Sequence, residues 1–184
     1  MRVVGGRLGG RTLATPKSQA IRPTADRLRE ALFNILTHAY DDPVNGARVL
    51  DLFAGTGALG IEALSRGAAF ALFVDDAAEA RALLRENVAA LGLGGTARIF
   101  RRDATKLGPV YPLEPFTLAF LDPPYGKGLA GKALASARAG GWFTPDALIV
   151  VEEAAKSKFA APEDFVELER RRYDDTEFVL LKPS

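Results

Sequence analysis

From Ala47 onward, short apolar runs of strand length alternate with longer stretches of helical periodicity, and this rhythm constrains the fold more than any other feature. The pattern predicts strands over 49–53, 70–74, 97–101, 117–121 and 148–151, with helices over 58–66, 77–91 and 129–139 between them. Strands that read as nearly continuous apolar runs separated by helices form a mostly parallel sheet covered on both faces. Residues 165–172 and 178–181 flank Asp174-Asp175 without an intervening helix, and are expected to close the sheet as an antiparallel hairpin.

With 184 residues and 48% hydrophobic content, the chain can bury one full core, which excludes a long disordered protein. Its longest apolar runs are too short to cross a bilayer and the N-terminus shows no signal-peptide hydrophobic region, so a cytoplasmic location is expected. Cysteine is absent and His38 is the single histidine, which excludes thiolate chemistry, disulfides and Cys/His metal sites. His38, near the end of an expected helix, reads as a surface or cap residue. No metal is expected, and nothing calls for an obligate partner subunit, so a monomer is expected.

Charge is unevenly distributed. Residues 1–30 hold seven Lys and Arg against two acids, whereas the remainder holds 17 against 21, giving a first segment of +5 on a body of −4. A basic arm suits an acidic polymer, because phosphate neutralisation supplies the sequence-independent part of nucleic-acid affinity. Residues 1–22 read as this arm, a small hairpin turned by Gly5, Gly6, Gly9 and Gly10, and residues 23–184 as the main domain. The arm is too small to bury much, and Arg2, Arg7, Arg11 and Lys17 favour a partner over the body. Thr24 then reads as the N-cap of an amphipathic helix in which Leu28, Ala31, Leu32, Ile35 and Leu36 share one face.

The first expected strand runs directly into Asp51-Leu52-Phe53-Ala54-Gly55-Thr56-Gly57-Ala58-Leu59-Gly60. A glycine-rich turn opening a helix lets backbone approach a ligand, and Asp75 stands twenty residues past Gly55 at the end of the second strand. Taken alone, this fits a dinucleotide as well as a nucleoside cofactor. Asp51, just before the glycines, would repel a pyrophosphate but suits the ammonium of S-adenosylmethionine. Asp75 can then accept from the ribose hydroxyls, and Asp103, with Ala104 beside it, can face the adenine amino group.

Asp122-Pro123-Pro124-Tyr125 follows the fourth parallel strand, on the edge where open α/β sheets bind ligands. Consecutive prolines stiffen the turn and remove N–H donors, leaving the Asp122 carboxylate and the Pro123 carbonyl as acceptors. An exocyclic base amine is a poor nucleophile because its lone pair is delocalised into the ring. Acceptors on its hydrogens turn that lone pair outward, and Tyr125 offers a π-face for the base.

Together with Arg2-Val3-Val4-Gly5-Gly6, Gly10-Arg11, Arg22-Pro23-Thr24-Ala25-Asp26-Arg27, Arg29-Glu30-Ala31-Leu32-Phe33-Asn34 and Asp122-Pro123-Pro124-Tyr125-Gly126-Lys127-Gly128, these motifs resemble the bacterial RsmD family of small-subunit ribosomal RNA guanine-N(2) methyltransferases. The resemblance spans essentially the whole chain. It implies a Rossmann-like class I S-adenosylmethionine-dependent methyltransferase fold: a seven-stranded, mostly parallel sheet with an antiparallel C-terminal hairpin, plus the small N-terminal hairpin. It implies S-adenosylmethionine held by Asp51, Phe53, Ala54, Gly55, Thr56, Gly57, Asp75, Asp76, Asp103 and Ala104, and a base held by Asp122, Pro123, Pro124 and Tyr125. It further implies 16S ribosomal RNA, within the small subunit or an assembly intermediate, gripped by Arg2, Arg7, Arg11, Lys17, Arg22, Thr24, Arg27 and Lys127. Two positions depart from the family pattern: Asp76 stands where an apolar or long side chain often meets the adenine, and Asp174 where glycine is usual.

Three other readings stay open on sequence alone: an adenine amino-methyltransferase acting on DNA or another RNA, a nicotinamide-dependent oxidoreductase, and a non-catalytic RNA-binding factor on the same scaffold.

Overall fold

In a computed structural model, which describes residues 1–17 and 24–184, seven strands form one sheet in the order β3-β2-β1-β4-β5-β7-β6. The strands are β1 (Arg48–Leu52), β2 (Phe70–Val74), β3 (Ala97–Phe100), β4 (Phe116–Leu121), β5 (Phe143–Ala154), β6 (Phe165–Tyr173) and β7 (Thr176–Pro183). The first five run parallel, and β7 lies antiparallel between β5 and β6, so the seven-stranded α/β fold with a reversed C-terminal hairpin is present. The helices are α1 (Asp26–Ala39), α2 (Ala58–Ser65), α3 (Ala78–Ala90) and α4 (Leu129–Ala139). Among the described residues, no helix is long and apolar enough to cross a membrane.

Strand alternation divides the core into two layers. Val49, Phe73, Leu118, Phe120 and Val150 pack with Leu32, Phe33, Ile61, Leu64 and Val88 on one face. Leu50, Leu72, Leu121 and Ile149 pack with Ala133, Leu134, Ala137 and Trp142 on the other. Because both faces are covered, the central strands carry almost no polar residues, and a buried acid among them stands out.

Two local expectations are corrected. Thr24 does not cap α1: the N-cap is Ala25, with no side-chain hydrogen bond, and the Thr24 hydroxyl points instead to carboxylates across the sheet edge. The small N-terminal hairpin is present, with the antiparallel bridge Arg2 to Thr12, but rather than standing free for a partner it leans on the body: Val3, Leu8 and Leu13 are buried in the core layer of α1 and α2. Glu62 of α2 holds it there, accepting from the amides of Val4 and Gly5 at 2.9 Å each. Other expected boundaries shift by a few residues, the largest change being β5, which extends well beyond 148–151 in both directions.

Sequential connections run outward from β1 through β2 to β3, then return to β4 on the other side of β1. The chain therefore leaves a crevice at the carboxyl ends of β1 and β4, the usual ligand position in such sheets.

Candidate active site

A cavity of about 480 Å³ occupies that crevice. Its wall contains Asp51, Phe53, Ala54, Gly55 and Thr56 from the first strand-to-helix turn, Asp75 and Asp76 after β2, Asp103 and Ala104 after β3, and Asp122 to Tyr125 after β4. The sheet order gives these acids a regular arrangement. Five adjacent parallel strands each bring at least one carboxylate to this edge, and one from each, Asp103, Asp75, Asp51, Asp122 and Glu152, follows the sheet order.

Asp51 lies inside β1 with 1% of its surface exposed, and its Oδ2 accepts the Gly60 amide at 3.0 Å. Gly60 must lack a side chain: a Cβ there would stand 2.4 Å from the Phe73 ring and 3.0 Å from Asp51 Oδ2. Burial pushes the Asp51 carboxyl well above its ordinary value; the Gly60 amide offsets this in part, and the neighbouring charge of Asp75 adds to it. Gly57, with φ +82°, caps α2 in a conformation that only glycine adopts readily, and contributes backbone geometry without lining the cavity.

Asp75 clamps the loop, accepting the Gly55 amide on Oδ2 and the Ala77 amide on Oδ1, both at 3.0 Å. These contacts bear on the dinucleotide alternative. A pyrophosphate needs free amides at the glycine turn, but here the Gly55 and Gly60 amides are held by carboxylates and that of Gly57 by the Ala54 carbonyl. Asp103 takes both the hydroxyl and the amide of Thr105, at 2.7 and 2.8 Å, and they hold its carboxyl below the ordinary value. Asp76 borders the cavity and is exposed on its rim.

Asp122 faces the cavity directly beyond β4, and its amide is 3.4 Å from the Leu52 carbonyl. Its carboxyl is driven well above the usual range by burial first, then by the charge of Glu152, a hydrogen bond to Glu152, and Asp51; only the Thr24 hydroxyl opposes this. Tyr125 is oriented by its hydroxyl contact with Thr176 Oγ1 at 3.2 Å. Glu153, itself buried, receives the amides of Gly126 and Ala154 and so pins the loop after the prolines.

The residues expected to grip RNA fall into three groups. Arg2, Arg7, Lys17 and Lys127 are exposed. Arg11 and Arg27 are exposed but engaged, Arg11 with the Ala90 carbonyl at 3.1 Å and Arg27 with Asp174 at 3.2 Å. Thr24 is buried in the cavity wall, and Arg22 lies outside the described residues. Sequence reasoning missed Glu152, Glu153 and the cavity residues Arg102 and Thr105. The paired acids Glu152-Glu153, directly after the apolar run Leu148 to Val151, were the available signal.

The family model described as "Conserved hypothetical protein 95" matches residues 1–182. The chain is 39% identical over 158 residues to Ribosomal RNA small subunit methyltransferase D of Escherichia coli, covering 85% of this chain and 76% of that protein. This chain belongs to the RsmD family. Another relative of this RsmD chain, YlbH from Bacillus subtilis, is 42% identical over 127 residues, 68% of this chain and 67% of that protein. The solved structure of Escherichia coli yhhF superposes with a TM-score of 0.83 at 31% identity, covering 100% of this chain and 98% of that one. A ribosomal protein L11 methylase from Lactobacillus delbrueckii shares the fold, with a TM-score of 0.65 at 13% identity over 91% of this chain and 83% of that one. The RsmD chain thus has the class I methyltransferase fold.

Proposed function

We propose that this protein transfers the methyl group of S-adenosylmethionine to the exocyclic 2-amino group of a guanine in 16S ribosomal RNA of the small subunit. The observation that carries the reading is the shared cavity: the Asp122-Pro123-Pro124-Tyr125 turn and the Asp51 glycine loop line one wall-to-wall space. A turn facing away from the loop would have left no route between cofactor and amine. The name of the Escherichia coli relative, Ribosomal RNA small subunit methyltransferase D, supports the choice of RNA and subunit.

The chemistry of the donors fits the cofactor. A cavity of about 480 Å³ suits a nucleoside-sized ligand, and three acids at consecutive strand ends match an ammonium, a ribose diol and an adenine amine. When bound, S-adenosylmethionine supplies an electrophilic methyl group on a sulfonium. The protein's own contribution is placement: Asp51 is the acceptor for the ammonium, Asp75 for the ribose hydroxyls, and Asp103 for the adenine edge. On the other side, Asp122 and the Pro123 carbonyl receive the hydrogens of the base amine and direct its lone pair toward the cofactor. Tyr125 gives the base a stacking surface worth about 1–3 kcal/mol. Arg2, Arg7, Lys17 and Lys127, all exposed, bind phosphates of the RNA.

The test is methyl transfer from labelled cofactor to small subunits, naked ribosomal RNA and duplex DNA, followed by nucleoside analysis. Label in N(2)-methylguanosine of 16S RNA is the expected result. Label confined to adenine would overturn the guanine assignment.

A further inference from the structure

Thr24, Asp122 and Glu152 come from three separate parts of the chain, the segment before α1, the residue just after β4 and the C-terminal end of β5, yet their oxygens meet at one point. Thr24 Oγ1 stands 3.2 Å from Asp122 Oδ2 and 3.1 Å from Glu152 Oε1, and the two carboxyls are themselves in hydrogen-bond contact. Glu152 is buried, with 4% of its surface exposed, and is absent from the cavity wall; Thr24 and Asp122 are part of that wall.

The contacts impose a proton count. A hydroxyl carries one hydrogen and can donate to one carboxylate at a time, while two carboxylates have no hydrogen to offer each other. The triangle therefore requires a proton on the carboxyl pair. Burial and the Glu152 charge raise the Asp122 carboxyl, placing that proton on Asp122 at rest. The other acids near the pair are Asp51 on β1 and Glu153 on β5, and neither brings a positive charge.

This creates a difficulty for the reaction. A protonated Asp122 offers a hydrogen where the base amine needs an acceptor. We propose that Glu152 is the proton store that resolves it: when the amine enters, the proton on Asp122 passes to Glu152 across their shared contact, and the Thr24 hydroxyl turns to donate to the carboxylate left behind. No net charge moves in or out. Asp122 then meets the amine as a carboxylate. As the amine nitrogen forms its bond to the methyl carbon, the electron pair of the breaking carbon–sulfur bond stays on sulfur as a neutral thioether, and the nitrogen sheds one proton to Asp122. Glu152 acts through Asp122 and is a positioning residue. The inference rests on the amino-methyltransferase reading above.

Two measurements test it. In the free protein, carboxyl carbon NMR follows the titration of Asp122. A pair sharing one proton titrates in two macroscopic steps that both side chains report. Glu152→Gln should leave a single Asp122 step, at lower pH than the last step of the wild type. The second measurement is kcat against pH with the small-subunit substrate. Below the Asp122 step, Glu152→Gln should lose about tenfold in kcat per pH unit, because nothing takes the proton, while the wild type stays level. At high pH the two should converge. Thr24→Val should lower kcat, and Thr24→Ser should restore it. Cofactor affinity by calorimetry and thermal midpoint should change little in Glu152→Gln and Thr24→Ser, which keep the shape of the site.

A single-step titration in the wild type, or a Glu152→Gln deficit of constant size at every pH, would overturn the store and leave Glu152 a packing residue. If the wild type methylates none of the offered nucleic acids, the activity reading fails instead, and the titration still decides whether the pair shares a proton.

Discussion

Replacing Arg29 should destabilise the protein more than any surface charge, and its contacts set the size of the effect. The side chain is fully buried. Its guanidinium donates to the Arg2 carbonyl at 2.8 Å, to the Thr24 carbonyl and Glu62 Oε1 at 3.3 Å each, and to Asp26. Removing one member of a buried ion pair costs about 3–5 kcal/mol, because the partner's charge is left uncompensated. Glu62 keeps Arg66 at 2.8 Å and the amides of Val4 and Gly5, so Arg29→Met should fall near the lower end, about 3 kcal/mol. For a chain of this length each kcal/mol moves the thermal midpoint by about 2–4 °C, giving a drop of about 6–12 °C. Arg29→Lys should lose an intermediate amount, since one ammonium cannot reach four acceptors held in a fork. Calorimetry and urea unfolding provide the numbers, and amide exchange at Val4 and Gly5 should accelerate in step. A loss below about 1 kcal/mol in Arg29→Met would refute the idea that this network fastens the arm to α1 and α2.

Asp75→Ala should weaken S-adenosylmethionine by about ten- to a hundredfold in calorimetry, the value of a charge-assisted hydrogen bond, and unchanged affinity would remove Asp75 from the ribose position. Arg7→Ala with Arg11→Ala should weaken RNA binding and lower the slope of log affinity against log salt by about 0.7–0.9 for each phosphate that is no longer neutralised; a parallel line would place the RNA elsewhere. Asp122→Asn should stabilise the fold as pH rises. The native carboxyl keeps its proton above the ordinary value of 3.8, so across the window from there to the raised native pKa the folded state binds more protons and stability falls with pH. Urea unfolding should show the variant gaining on the wild type from acid toward neutral pH, and an equal gap at all pH values would contradict the sign.

The parallel core and the acids at its edge were legible because each is a local pattern: apolar runs of strand length, then Asp51, Asp75, Asp103 and Asp122 at the point where each run stops. Thr24 was misread for the same reason. Threonine before a helix is the common signature of a cap, and its actual partners lie 98 and 128 residues away. Nothing local announces such a contact. Glu152 was hidden differently, since β5 reads as a strand of 148–151 until the pairing with β7 extends it to Ala154 and places Glu152 opposite Phe178. The arm was expected to await a partner because its charge is visible in sequence, whereas the docking of Val3, Leu8 and Leu13 depends on a surface assembled from α1 and α2. Asp174 shows the converse: its φ of +56° accounts for the glycine expected there, so the departure leaves the turn in place.

The row of acids also explains which ligand the cleft can tolerate. Neighbouring strands lie about 4.8 Å apart, so five carboxyl groups on consecutive strands are held close by the sheet itself. Among the described residues none of the five joins an ion pair, and their charge is managed by amides, hydroxyls and retained protons. At such spacing like charges repel by several kcal/mol when desolvated, and a phosphate entering beside Asp51 would add to that repulsion. On the function proposed above, the ammonium and sulfonium of S-adenosylmethionine outweigh its single carboxylate, and that net positive charge would lower the repulsion. In the proposed reaction the same field would favour reactant over product, because the sulfur is neutral once the methyl group has left. On the proposed reading, stability given up along this edge would become preference for the charged reactant, provided that the scaffold stays rigid enough to prevent the acids from moving apart. The parallel register of β2, β1 and β4, fixed by the buried side chains on both faces, supplies that rigidity.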